Sequence, residues 1–243
     1  MLLVHGWTLD LDMWDPQVSA LRATFRLLRL DRRGQGLSEG TPAPQRDSED
    51  LVALCNLLEL TRVALIGMSQ GVRAVLGFAG AAPDRVAALI LDGPPSLDSD
   101  LDSEVPLQRY AALVRTHGID AFRSKWAGHA LMQLRTQNPD IRALLAAMLA
   151  RYPGNDLEHP LPRTQLLAAP LRLKSLMVPA LVLSGEFDLA GRRAAARQLA
   201  ARLPDAELAV IPGAGHLPNL DRPDIYSELC RGFLTRHCPR DTS

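Results

Sequence analysis

Several features that would assign a protein to a familiar functional class are scarce or missing in this sequence. There are three cysteines, Cys55, Cys230 and Cys238, and no C-x-x-C pair among them. An odd number of widely spaced cysteines indicates neither a disulfide framework nor a zinc site. We therefore expect reduced, structural thiols and no bound metal.

Long apolar runs and an excess of one charge are also lacking. No uninterrupted apolar run approaches the ~18 residues that indicate a transmembrane helix, and the N-terminus does not look like a targeting peptide. Lysine plus arginine and aspartate plus glutamate number 27 each, so no net charge favours nucleic acid or an anionic membrane. The sequence favours a cytoplasmic protein that acts on a small molecule, and it leaves a homodimer open.

What the chain does contain is enough apolar material for one large core. Its 243 residues are 47% hydrophobic and 22% charged. Up to about residue 95, short aliphatic runs alternate with stretches of helical period, which predicts a parallel α/β sheet covered by helices on both faces. From 96 to 173 only helical periodicity is found. We therefore predict a core made of 1–95 and 174–243, split by a helical insertion.

The strongest chemical signal surrounds one serine. The motif Gly67-Met68-Ser69-Gln70-Gly71 has the G-x-S-x-G pattern, directly after an aliphatic strand and directly before a helical stretch. In that context the motif holds a serine on a sharp turn above a sheet. The following helix offers free N–H groups and the positive end of its dipole, which stabilise negative charge near the serine oxygen.

A serine hydroxyl needs a base to become a nucleophile, and the base needs an orienting carboxylate. His216 follows the last predicted strand in a glycine-rich loop, and Asp188 follows the strand before it. Because the carboxyl ends of parallel strands meet at one edge of a sheet, we expect Ser69, Asp188 and His216 to converge there. Asp92, at the end of another strand, is the alternative carboxylate, and Glu186 is expected to shape its turn.

Taken together, these motifs resemble the α/β-hydrolase fold family, in particular its capped serine hydrolases and esterases and its C–C hydrolase, enol-lactonase and haloperoxidase branch. The resemblance covers nearly the whole chain. The matching segments, in order, are His5-Gly6-Trp7, Asp31-Arg32-Arg33-Gly34-Gln35-Gly36-Leu37-Ser38, Gly67-Met68-Ser69-Gln70-Gly71, Asp188 and Gly215-His216. It implies an oxyanion hole made by the N–H groups of Trp7 and Gln70, a structural role for the arginine-rich segment, and no cofactor.

The resemblance also implies that the insertion at 96–173 is a cap that covers Ser69 and selects the substrate. We expect apolar and aromatic side chains, from the cap and from beside the motif, to line the cavity: Trp7, Met68, Trp126, His129, Met132 and Met148. No cluster of arginines at motif spacing indicates a clamp for a carboxylate or phosphate, and Arg73 is the single candidate.

We predict a serine hydrolase that cleaves a small, mainly apolar carboxylic ester or lactone through an acyl-enzyme. The same motifs fit a hydrolase of C–C bonds or enol-lactones in aromatic degradation, and a cofactor-free haloperoxidase or perhydrolase. A slow-turnover ligand-binding signalling protein of the same fold is the alternative from another class, since fold alone does not settle function.

The first residues raise a separate expectation. Leu2-Leu3-Val4 is predicted to be the strand that delivers His5-Gly6-Trp7, whereas members of the family carry two further strands before this point. Those strands form one edge of the sheet. Without them, the strand around Leu28 is expected to be an exposed edge, with lower stability and solubility.

Overall fold

The computed structural model describes residues 1–97, 104–158 and 172–238, in which strands and helices alternate. The strands are β1 (Leu2–Val4), β2 (Leu28–Leu30), β3 (Val63–Met68), β4 (Val86–Asp92), β5 (Ala180–Gly185) and β6 (Ala206–Ile211). The α-helices are α1 (Asp15–Leu21), α2 (Asp47–Leu57), α3 (Gln70–Ala81), α4 (Leu107–Ala127), α5 (Pro139–Arg151), α6 (Asn155–Glu158), α7 (Ala190–Arg202), α8 (Pro218–Asp221) and α9 (Pro223–His237). None of these helices combines the length and apolar character needed to cross a membrane.

The strands form one parallel sheet in the spatial order β2-β1-β3-β4-β5-β6. Parallel neighbours need crossover connections, which the intervening helices supply. The chain first moves from β1 to β2 on one side and then crosses back to β3 on the other. The strand order therefore reverses between β1 and β3, and in such sheets ligands bind at the carboxyl ends of the strands at this point.

Alternate strand residues enter two apolar layers, one on each face of the sheet. Leu3 and Ile66 belong to the layer that contains side chains of α1 and α9, whereas Leu2 and Leu65 belong to the layer with α2, α3 and α7. Both faces are buried, as a parallel sheet requires. The predicted α/β fold with a doubly wound sheet is confirmed.

Between β4 and β5, the described residues form α4, α5 and α6 rather than strands. Helix α4 bends at Gly118, whose φ of 78° lies in the left-handed region that glycine tolerates. The aromatic residues Tyr110, Phe122 and Trp126 of this helix join the core layer of α1 and α9. The predicted insertion at 96–173 includes 98–103 and 159–171, which lie outside the described residues, so its bounds stay a prediction.

The outermost strands of the described sheet are β2 and β6. The strand order confirms the edge position that was expected for β2, the strand that contains Leu28. All three residues of β2 are half-buried. In β6, the side chains of Leu208 and Val210 are exposed. The effect of the β2 edge on stability and solubility stays a prediction.

Gly71 sets how closely α3 approaches the end of β1. A Cβ atom at Gly71 would lie 2.4 Å from the carbonyl oxygen of Val4 and 2.8 Å from that of His5. Both contacts are with backbone, which cannot rotate away as a side chain can. The second glycine of G-x-S-x-G is therefore needed for β1 and α3 to lie this close together.

We expect Gly71→Ala to lower the free energy of unfolding by about 2 kcal/mol or more, because the added methyl forces β1 and α3 apart. Urea unfolding followed by circular dichroism measures the change. Gly232→Ala is the matched control: Gly232 is also helical, but a Cβ there meets nothing closer than 3.8 Å. The control should gain about 0.5–1 kcal/mol. Equal effects of the two substitutions would contradict this account of Gly71.

Candidate active site

Ser69 occupies a strained turn between β3 and α3. Its φ of 50° and ψ of −114° are uncommon for a residue with a side chain. The turn is held by the Ser69 N–H, which donates to the carbonyl oxygen of Asp92 at 2.8 Å. A Cβ at Gly67 would lie 2.6 Å from the Gly71 carbonyl oxygen, so this turn also requires its first glycine.

The predicted base and carboxylate lie in a chain of hydrogen bonds with Ser69. Nε2 of His216 is 3.2 Å from Ser69 Oγ, and its Nδ1 is 2.9 Å from Oδ2 of Asp188. The other carboxylate oxygen of Asp188 accepts from the Leu189 N–H at 2.7 Å. With Nδ1 protonated and facing Asp188, Nε2 has a free lone pair directed at the serine hydroxyl. The arrangement can take a proton from Ser69 Oγ.

The alternative carboxylate, Asp92, is not part of this chain. Both of its carboxyl oxygens are buried, with the hydroxyl of Tyr226 beside them. Burial, and then the negative charge of Asp188, raises the pKa of Asp92 well above its usual range. A carboxyl group whose protonated form is favoured is poorly suited to stabilise an imidazolium, and the geometry favours Asp188.

Substituting the two carboxylates separately tests this assignment. We expect Asp188→Asn to lower kcat by about 10³-fold or more, because the imidazole loses the partner that fixes its tautomer. Asp92→Asn should change kcat by less than about fivefold, since an amide replaces a carboxyl whose protonated form is already favoured. Steady-state hydrolysis of p-nitrophenyl acetate provides the measurement. A larger loss in Asp92→Asn than in Asp188→Asn would reverse the assignment.

The peptide between Gly6 and Trp7 is oriented by two donors on one side. The carbonyl oxygen of Gly6 accepts from His5 Nδ1 at 2.8 Å and from Arg32 Nη2 at 3.2 Å. In a trans peptide the N–H and C=O groups point in opposite directions. The Trp7 N–H is therefore directed away from Arg32 and is available as a donor on the opposite side.

Arg32 joins the two segments that were predicted to form the oxyanion hole. Besides Gly6, its Nη2 contacts Oε1 of Gln70 at 2.7 Å, and its Nη1 pairs with Asp47 at 2.7 Å. Gln70 is the first residue of α3, where backbone N–H groups have no partner within the helix. The predicted structural role of the arginine-rich segment agrees with these contacts.

His5 also bonds to Gly6 and Arg32, and its side chain is neutral. Its Nε2 accepts from the Arg32 backbone N–H at 2.9 Å, so the proton must lie on Nδ1, the atom that faces Gly6. Burial, and then the charge of Arg32, lowers the pKa of His5 well below its usual range. Its ring therefore acts as a neutral brace and carries no catalytic proton.

Side chains of the helical insertion bond to the loop that follows β1. Trp7 Nε1 donates to Asp156 at 2.6 Å, and Asp156 also accepts from the hydroxyl of Tyr152. Trp126 Nε1 donates to the hydroxyl of Thr8 at 2.7 Å, and Thr8 has a strained φ of 63°. The rings of Trp7 and Trp126 pack edge to face at 4.9 Å. Residues 7 and 8 are thus fixed by α4 and α6.

A cavity of about 200 Å³ lies over Ser69. Of the described residues that were predicted to face the substrate, Trp7, Met68, Trp126 and Met132 line the cavity. The predicted catalytic and oxyanion-hole residues Ser69, Gln70 and His216 also line it. Lining residues that the sequence did not indicate are Leu9, Thr41, Pro42, Pro44, Pro95, Val105, Leu107, Leu131, Asn155, Asp156 and Arg192. Most of the wall is apolar, and the space suits a small molecule.

Two predicted substrate contacts, His129 and Met148, do not line the cavity. The ring of His129 stacks behind Trp126 at 4.5 Å, and its Nε2 lies 3.1 Å from the Glu104 carbonyl oxygen. Met148, in α5, is buried in the core layer that also contains side chains of α1 and α9. Spacing in the sequence does not reveal that the turn after α4 directs His129 away from the cavity, or which face of α5 carries Met148.

Two arginines lie at the cavity wall beside Ser69. Arg73, which the sequence singled out, donates from Nη2 to the Ser96 carbonyl oxygen at 2.7 Å. Arg192 was not indicated by the sequence. It is 4% exposed, and its Nη1 lies 3.3 Å from Ser69 Oγ. Arg192 belongs to an arginine-rich helix whose sequence is typical of a solvated surface. The one signal in the sequence that could have indicated it is that it follows Asp188 by four residues.

Metal ligands and thiols are not assembled at this site. In the part of the chain that the structure describes, no group of three or more histidine, cysteine, aspartate or glutamate side chains is placed to hold a metal ion. Cys55 and Cys230 are free and buried, and Cys238 is free and partly buried.

Comparison with known proteins places the chain in a family. Residues 1–223 match the family model described as the alpha/beta hydrolase fold. The chain belongs to that family. Among solved structures, this α/β hydrolase is similar to a thermophilic esterase from Thermogutta terrifontis (malate bound), with a TM-score of 0.82 and 29% identity over 97% of this chain and 89% of that one.

Two further relatives extend the comparison. The pimeloyl-[acyl-carrier protein] methyl ester esterase of Pectobacterium atrosepticum is 30% identical, over 96% of this chain and 93% of the relative. The structure of the enol-lactonase from Burkholderia xenovorans LB400 has a TM-score of 0.79 and 30% identity, over 96% of this chain and 90% of that one. This α/β hydrolase is therefore an enzyme of the hydrolase class.

Proposed function

We propose that this α/β hydrolase is a serine hydrolase that cleaves a small, mainly apolar carboxylic ester or lactone. The observation that carries the proposal is the hydrogen-bond chain from Ser69 through His216 to Asp188, at 3.2 and 2.9 Å. A positioned base and an orienting carboxylate are what a serine hydroxyl needs to attack a carbonyl carbon.

In the first half of the reaction, Ser69 Oγ bonds to the carbonyl carbon while His216 Nε2 takes the hydroxyl proton. The carbonyl oxygen becomes an oxyanion that the N–H groups of Trp7 and Gln70 stabilise, each worth about 3 kcal/mol of barrier. The tetrahedral intermediate then expels the alcohol oxygen, which receives the proton from His216. An acyl-enzyme remains on Ser69.

In the second half, water replaces the alcohol and the same groups act again. His216 takes a proton from the water as its oxygen attacks the acyl carbon, and it returns that proton to Ser69 Oγ when the acid departs. Asp188 keeps Nδ1 facing away from the serine throughout and stabilises the imidazolium. No cofactor takes part in these steps.

The cavity and the relatives support the same substrate class. A space of about 200 Å³ with a largely apolar wall suits a small acyl group or lactone ring. The Pectobacterium relative is named as an esterase of a methyl ester, and the Burkholderia relative is named as an enol-lactonase. The second name favours enol-lactone hydrolysis as the second candidate, which would use Ser69 and His216 in the same way.

A fluorophosphonate probe and a panel of p-nitrophenyl esters and enol-lactones test the proposal. We expect the protein to be labelled once, at Ser69, and Ser69→Ala to abolish labelling and to lower kcat by about 10³-fold or more. The matched control is Ser175→Ala, because Ser175 is an exposed serine outside the cavity. The control should keep both activities. No labelling of Ser69 and no turnover of any panel member would refute the proposal.

A further inference from the structure

The cavity wall is mainly apolar, but two guanidinium groups interrupt it beside Ser69. Arg73 lies in the first turn of α3 and Arg192 in the first turn of α7, so the two reach the cavity from helices that begin after different strands. The positive ends of both helix dipoles point toward the same region. Cations in a mainly apolar wall are unfavourable unless a negatively charged group binds beside them.

The two arginines are not equally neutralised. Nε of Arg192 pairs with Oε2 of Glu104 at 2.7 Å, which leaves Nη1 directed at Ser69 Oγ. The contact of Arg73 with Ser96 is to a neutral carbonyl oxygen, and no carboxylate pairs with Arg73 among the described residues. Asp156, the carboxylate in the cavity wall, accepts hydrogen bonds from Trp7 and Tyr152 rather than from either arginine.

The charge of Arg73 is energetically unfavourable in this position. Burial, and then the charge of Arg192, lowers the pKa of Arg73 to about 10. The guanidinium is still protonated at neutral pH, but its charged form is disfavoured, as expected for a partly buried cation beside another cation. A bound anion would relieve this cost.

We propose that Arg73 and Arg192 form a subsite for a carboxylate group carried by the substrate, next to the ester or lactone carbonyl that Ser69 attacks. This inference rests on the proposed function and deepens it. Arg73 has no carboxylate partner among the described residues, which matches a ligand with a single carboxylate, and guanidinium groups pair with carboxylates in a forked geometry.

The position of Arg192 also limits where that carboxylate lies. Its Nη1 is 3.3 Å from the nucleophilic oxygen, so an anion that it holds must be close to the carbon that Ser69 attacks. The substrate should therefore have a short spacer between its carboxylate and its reacting carbonyl. The apolar wall remains for the other part of the molecule.

Two esters of equal chain length test the subsite by charge alone. Monomethyl succinate carries a carboxylate where methyl butyrate carries a methyl group, and its methoxide is too poor a leaving group for that carboxylate to displace unaided. We expect kcat/KM to be about tenfold or more higher for the succinate ester, and this ratio to fall close to 1 in Arg73→Met, mainly through a higher KM. Arg73→Lys should recover part of the ratio, which loss of structure alone would not allow. Arg197→Met, at an exposed position of α7, is the matched control and should keep the full ratio.

A binding measurement separates this inference from the proposed function. In Ser69→Ala, succinamate, which carries one carboxylate, should raise the melting temperature and its neutral analogue succinamide should not. Binding of succinamate without hydrolysis of any ester by the unsubstituted enzyme would refute the proposed function and keep the anion subsite. Hydrolysis of both esters at similar kcat/KM, with no stabilisation by succinamate, would overturn the subsite and keep the proposed function. These outcomes need no arginine variant to fold.

Discussion

The site depends on one close backbone contact at the carboxyl edge of the sheet. The strand order reverses between β1 and β3, so the segment after β1 and the turn after β3 lie side by side there. Gly71 permits that contact, because any side chain at this position would meet the carbonyl oxygens of Val4 and His5. The nucleophile and the Trp7 N–H come from these two segments. Their separation is therefore fixed by packing of the main chain rather than by flexible side chains.

Polar side chains then hold what the main chain brings together. Arg32 contacts Gly6 and Gln70 with one Nη atom and pairs with Asp47 through the other, which links both candidate oxyanion donors to α2. From the opposite side, the indole N–H groups of Trp7 and Trp126 bond to Asp156 and to Thr8. Preorganised donors of this kind lower a barrier because they need no rearrangement as charge develops. The helical insertion thus braces the site as well as covering it.

Charge is distributed unevenly around the nucleophile. On the sheet side, Asp188 faces His216, and Asp92 lies behind it with a raised pKa. On the cavity side, Arg192 and Arg73 contribute two positive charges within a mostly apolar wall. In the proposed reaction, Asp188 supports proton transfer at Ser69 through His216, and the two arginines bind the carboxylate of the substrate. Low dielectric strengthens both effects, since water screens neither group well.

By itself, the sequence determined the fold, the elbow serine and the order of the residues that follow it. These features depend on local patterns: aliphatic period, glycines at a tight turn, and acidic or histidine residues after successive parallel strands. Tertiary structure decided which distant side chains reach the cavity. Arg192 and Asp156 face it, whereas His129 and Met148 do not. The physical reason is that the direction of a side chain from a helix or a turn is set by what that segment packs against, and those partners are far away in the chain.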